Sequence, residues 1–166
     1  MRTFTDSTGQ PWSVTINVEA VKRVKALCGV NLLDALGGEL LEQLSSDPIL
    51  LCDVLFTLCK GEAEAKKISD EAFGRGLAGD TIDKATDALL EELVEFFPLA
   101  RRQLLRKALE KLRKLQTMAV KSGEENLDSD AMEQRMLAEL QKGPGGSAGS
   151  LGASWASIPA PSPSGS

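Results

Sequence analysis

The sequence has no histidine and no tyrosine, and only five Phe and two Trp stand as aromatics among its 166 residues. Without histidine there is no imidazole general base, no imidazole zinc ligand and no Ser–His or Cys–His nucleophile. No apolar run approaches the roughly 18 residues of a membrane-spanning helix. The opening Met1-Arg2-Thr3-Phe4-Thr5-Asp6 is too polar for a secretory signal. Cysteine is scarce and odd in number, at positions 28, 52 and 59 in apolar surroundings. These three are read as reduced core residues of a cytoplasmic chain. Charge is missing from the C-terminus: all 43 charged residues lie at or before Lys142, and 17 of the last 24 residues are Gly, Ser or Pro. Such a segment cannot bury enough apolar surface to offset its backbone entropy, so a disordered tail is expected over 143–166. The net charge of −5 argues against a protein that grips nucleic acid through its overall charge.

Two alternating stretches flank the turn Asp6-Ser7-Thr8-Gly9 and predict a β-hairpin with Phe4, Trp12, Val14 and Ile16 on its buried face. Asn17 is a good N-cap for a helix carrying Val18, Val21, Val24, Lys25 and Cys28 up to Gly29. Leu32, Leu33 and Leu36 make a short apolar element stopped by Gly37-Gly38, and Glu39 to Leu44 one or two helical turns. Asp47-Pro48 then reads as an N-cap with proline at the first helical position. The nearly continuous apolar run from Ile49 to Lys60 predicts a central helix. Ser69-Asp70-Glu71 opens another short helix, and Asp80 or Thr81 caps a long one. Its stripe is Ile82, Ala85, Leu89, Leu93 and Phe96, widened by Leu90, Val94 and Phe97. Pro98 ends it, and a helix over 99–121 follows with Leu105, Ala108, Leu112, Leu115 and Ala119 inward. After Gly123 a shorter amphipathic piece shows Met132, Met136, Leu137 and Leu140. The fold class expected is mainly α: an N-terminal β-hairpin packed on a bundle of about five to six helices. Residues 1–121 form the domain, 122–142 an amphipathic helix and 143–166 the tail.

Candidate chemistry is thin. Glu91, Glu92 and Glu95 have no partner base and fall off the apolar stripe, so they are read as a solvated helix face. Cys52 and Cys59 lie seven residues apart, and no further Cys or His can complete a zinc shell. The run Phe73-Gly74-Arg75-Gly76-Leu77-Ala78-Gly79-Asp80 lacks the Lys-Ser/Thr of a phosphate loop and follows no strand. Its glycines suit close helix approach and a sharp turn into the next helix. No enzyme activity, metal or cofactor is expected. The strongest electrostatic feature is residues 99–121, with eight Lys or Arg against one acid; that is +7 in a chain of −5, so the remainder carries −12. The preceding helix is acidic, and an antiparallel pair joined at Pro98 sets the opposite charges side by side. Partner binding is suggested by Met118, Met132 and Met136, whose flexible thioethers suit adaptable apolar surfaces, together with Leu112, Leu115 and Leu140. In the tail, Leu151, Trp155 and Ile158 are spaced to form one docking helical turn.

Several segments carry a resemblance. They are Arg2-Thr3-Phe4-Thr5-Asp6 with Trp12, Ser46-Asp47-Pro48-Ile49-Leu50-Leu51, Asp70-Glu71-Ala72-Phe73-Gly74-Arg75, and the stretch from Ala85-Thr86-Asp87 through Glu91-Glu92-Leu93-Val94-Glu95-Phe96-Phe97-Pro98. Over roughly residues 2–121 the chain resembles small tail-gene proteins of phages and prophages and is similar to tail assembly chaperones. The resemblance implies a non-enzymatic protein of the bacterial host cytoplasm. Such a protein coats the tape measure protein, keeps its apolar helical stretches soluble and helps the tail tube protein polymerise around it. It further implies the shorter of two forms made by frameshifting, with self-association. No functional residue transfers, because no short motif carries the activity. Two alternatives stand beside this reading: a structural tail or connector component of the virion, and a small DNA-binding regulator using the basic helix.

Overall fold

The computed structural model describes residues 1–127 and 130–142. Strands β1 (Arg2–Thr5) and β2 (Pro11–Val14) pair antiparallel, with Phe4 opposite Trp12 and Arg2 opposite Val14. The alternation predicted from the sequence holds: Phe4, Trp12, Val14 and Ile16 are all buried. Helices follow as α1 (Val18–Cys28), a 3₁₀ helix (Leu32–Gly37), α2 (Glu39–Ser46), α3 (Pro48–Leu58) and α4 (Lys60–Lys66). Then come α5 (Asp70–Gly76), α6 (Asp80–Phe96), α7 (Leu99–Leu127) and α8 (Asp130–Gln141). The class is the expected one, a mainly helical protein with a small N-terminal hairpin, but eight α-helices and one 3₁₀ helix occur among the described residues. The chain divides into two units, Met1–Gln116 and Thr117–Ser166, and the division falls within α7. The expected disordered tail, 143–166, lies outside the described residues.

In the first unit, local signals set the helix starts. The Asn17 side chain accepts from the Ala20 amide at 2.8 Å, Asp47 from the Ile49 and Leu50 amides, and Ser69 from the Ala72 amide. Each satisfies amides that the first helical turn leaves without a partner. Helix α3 is central, touching α1, α2, α4, α5 and α6. Its Leu51, Val54, Leu55 and Leu58 are buried, while Ile49 is exposed where the helix begins. Strand β1 lies along α6, whose Ala85, Leu89, Leu90, Leu93 and Val94 are buried.

Three expectations need correction. Val18 is exposed, because the core-facing edge of α1 is Ala20, Val21 and Val24. Gly79, with φ of +57°, rather than Asp80 or Thr81, caps α6; the left-handed backbone there suits a residue without a side chain. Helix α7 continues through Gly123 to Leu127 instead of ending near 121, since one glycine costs a helix only about 1 kcal/mol.

A two-stranded hairpin is marginal in water by itself, and here two sets of contacts hold it. At its turn, the buried Asp6 carboxylate accepts from the Trp12 indole N–H at 2.9 Å, from the Thr8 hydroxyl at 2.6 Å, and from the amides of Thr8 and Gln10. The Ser7 amide donates to the carbonyl of Gly76 at the end of α5, and a methyl group at Gly76 would stand 2.9 Å from Asp6 Oδ2. The glycine run therefore does serve a close approach, of a helix end to the hairpin turn. On β2, Glu62 of α4 accepts the Ser13 amide at 2.9 Å, and Lys66 lies 4.5 Å over the Trp12 ring. Trp12 and Phe73 meet edge to face with ring centroids 4.7 Å apart.

Asp6→Ala leaves the buried indole donor without a partner and should destabilise by about 1–3 kcal/mol. Gly76→Ala should cost a similar amount, about 1–3 kcal/mol, through steric crowding. The two penalties should sum to more than the double variant loses, because one contact is shared; urea titrations of the three variants measure this. Burial raises the Asp6 and Glu62 carboxyls, but hydrogen bonds from Thr8 and Trp12, and from Lys66 and Ser13, outweigh it and hold both below their ordinary 3.8 and 4.5. A folded-state value below the unfolded one contributes stability above the unfolded value and loses it as pH falls through the folded value. Thermal melts should therefore lose midpoint as pH drops below those ordinary values, with a weaker slope in Asp6→Asn.

Candidate interaction surface

Helix α6 presents acids to the basic helix that follows, and in the first unit the pairing expected from the sequence forms. Arg102 and Arg106 both pair with Glu95, the former at 3.0 Å. Arg113 reaches Asp87 at 2.6 Å and Glu91 at 3.3 Å, and Arg2 of β1 meets Glu91 at 3.1 Å. The hydrogen bond from Arg106 holds the Glu95 carboxyl below its ordinary value, helped by the charge of Arg102. Arg102 also donates to the carbonyls of Glu95 and Phe97, tying the start of α7 to the last turn of α6. The solvated-face reading of the acidic cluster fails at Glu92. That residue is buried and pairs with the Met1 amino group at 2.8 Å. A cation delivered by the neighbouring strand makes the buried carboxylate tolerable.

The arginines of this seam share one edge of α7. Positions 102, 106 and 113 are spaced four and seven apart, which keeps them on one side of a helix of 3.6 residues per turn. The next edge carries Leu105 and Leu109 into the core, with Ala108 and Leu112 partly buried against it. On the far side, Lys107, Lys111 and Lys114 are exposed together with Leu104 and Leu115. Leu115 and Ala119 are therefore not inward as expected: the core-facing edge of α7 buries only Leu105 and Leu109 along all 29 residues.

Of the residues singled out for partner binding, Leu112 is half-buried against the first unit's core and Leu115 is exposed. In the second unit Met118, Met136 and Leu140 are exposed and Met132 is half-buried. Met132, Met136 and Leu140 recur every four residues and so share one side of α8. Leu151, Trp155 and Ile158 lie outside the described residues. Sequence reasoning missed Val120 and Leu127, both exposed on α7. The signal was present, since both continue the helical spacing of Leu105 and Leu109 past the point where the core ends. Altogether six large apolar side chains of the second unit's two helical segments are between 56% and 78% exposed: Met118, Val120, Leu127, Met136, Leu137 and Leu140. A concentration of this kind marks an interaction surface rather than the scattered apolar residues of an ordinary exterior.

The cysteines contribute no reactive group to it. Burial pushes the Cys59 thiol up to about 12, and burial with the nearby Asp70 and Asp53 pushes Cys52 up to about 11. Both thiols stay protonated and act as small apolar side chains. No helix among the described residues is long and apolar enough to cross a membrane.

The division of α7 has a direct consequence for stability. Leu105→Ala should destabilise by about 2–5 kcal/mol through the cavity it opens, whereas Leu115→Ala should change stability by no more than about 0.5 kcal/mol. Chemical denaturation of the two variants separates these outcomes, and equal losses would place Leu115 in the core after all. No family model matches the chain, and neither a curated protein nor a solved structure matches it.

Proposed function

We propose that the protein is a non-enzymatic tail assembly chaperone of a phage or prophage. In this reading it works in the cytoplasm of the bacterial host, binds apolar helical stretches of the tape measure protein and aids growth of the tail tube around it. The observation that carries the reading is the set of exposed Leu, Val and Met side chains on the helical segments after residue 116. A chaperone for a long helical client needs apolar surface beyond what its own core consumes. Methionine suits such a client because its unbranched thioether adapts to side chains of varied shape. The sequence resemblance over roughly residues 2–121 supports the same reading, and a chain without histidine or tyrosine suits a role in binding more than in acid–base chemistry.

The charge pattern is compatible with this division of labour. The arginines of α7 are engaged within the first unit, so they serve its own architecture. The apolar residues beyond them are left to a client. Nucleic acid fits less well, since three of the basic side chains that a phosphate backbone would need already face carboxylates.

Co-expression with a tape measure segment encoded beside this gene tests the proposal. The segment should become soluble and co-purify with several copies of the chain. Met136→Asp with Leu140→Asp, both at exposed positions, should abolish capture while leaving the thermal midpoint unchanged. A segment that stays insoluble, or capture indifferent to these substitutions, contradicts the proposal. Recovery of the chain from purified particles would assign it to the virion structure instead.

A further inference from the structure

The first unit carries a second surface that its own fold does not explain. A groove of about 710 Å³ opens where the segment after α1 passes the 3₁₀ helix, α2 and the start of α3. Its walls include Val30, Leu33, Leu36 and Leu50, and it carries two carboxylates, Asp34 and Glu39, with no cation among its lining residues. Asp34 accepts only an amide hydrogen of Asn31 at 2.9 Å and Glu39 one of Gln43 at 3.4 Å. Leu33 is exposed although leucine has every reason to be covered. The groove is apolar in its walls, acidic in its charge and uncovered.

The complementary surface is on the same chain. Lys107, Lys111 and Lys114 on the outer face of α7 are exposed, and none forms an ion pair among the described residues. Leu104 and Leu115 stand exposed among them, about 16 Å apart at 1.5 Å per residue. The cations of α7 have thus separated by type. The arginines, suited to planar bidentate pairing, bind carboxylates of α6, and the lysines remain on the outside. We propose that the groove at Asp34 and Glu39 receives this lysine–leucine face of α7 from a second copy of the chain. The leucines cover the groove's apolar walls, and the lysines meet the two carboxylates. Because the two surfaces differ, the contact is head-to-tail, and repeated it generates open chains or closed rings rather than a twofold dimer. This inference depends only on the first unit and stands or falls separately from the chaperone reading.

Sedimentation velocity on the full chain over a concentration series tests it. The wild type should self-associate in low salt, and added salt should weaken the association. Lys107→Glu with Lys111→Glu should weaken it by about tenfold or more, and so should Asp34→Lys with Glu39→Lys, since each sets like charges across the contact. The two double variants should associate again when mixed, because the reversed face then meets the reversed groove. Circular dichroism checks that each variant is folded, and the lysine positions lie outside the core, so that variant keeps the test open if the groove variant unfolds. A wild type that remains monomeric at every concentration overturns the proposal. So does an association that ignores both charge reversals, or a mixture that fails to recover it. Binding of duplex DNA by a monomeric chain, lost on Lys107→Glu with Lys111→Glu, would give the face to nucleic acid and overturn it equally.

Discussion

The arrangement depends on covering one face of a hairpin too small to cover itself. Trp12 is where the problem concentrates: a large ring on a four-residue strand, with a polar N–H that must not be buried alone. Asp6 supplies the acceptor from the same hairpin, Phe73 of α5 the edge-to-face neighbour, and Lys66 of α4 the cation above the ring. Each helix that meets the hairpin is held to a narrow position by one of these contacts. The close passage at Gly76 follows, because the end of α5 can reach the turn only where no side chain intervenes.

The charged seam between α6 and α7 has a different task. Exposed and half-exposed ion pairs contribute only about 0–1 kcal/mol each, so Arg102, Arg106 and Arg113 add less stability than the burial of Leu105 and Leu109. What they supply is register. Glu95 takes two arginines near the Pro98 turn, and Arg113 takes Asp87 and Glu91 further along. This ladder forms at one rotation and one offset of the basic helix. It thereby fixes which side of α7 faces the core and which side presents lysines and leucines.

Local patterns were the legible part of the sequence. The alternation of Phe4, Trp12 and Val14, the caps at Asn17, Asp47 and Ser69, and the apolar run of α3 each state their structure within a few residues. The misses share a physical origin. Helix α4, Lys60-Gly-Glu-Ala-Glu-Ala-Lys, buries only Ala63 and so has no stripe to read. Glu92 appears solvated until a distant strand brings the Met1 amine beside it. Leu115, Ala119 and Val120 fit the helical periodicity, but periodicity reports which residues share a side and not whether any neighbour covers that side. The candidate surface was legible in its residue types for the same reason that its extent was not. Methionines and leucines could be recognised, while Val120 and Leu127 looked like core.

The central claim is that the protein uses its hairpin-centred core for its own stability and its later helical segments for a client. Amide hydrogen exchange on the full chain, alone and with a soluble tape measure segment, tests it most directly. The expected result is new protection in peptides covering 117–127 and 130–142, with the already slow amides of α3 and the hairpin unchanged. Protection gained in α3 or the hairpin, or none at 117–142, would contradict it.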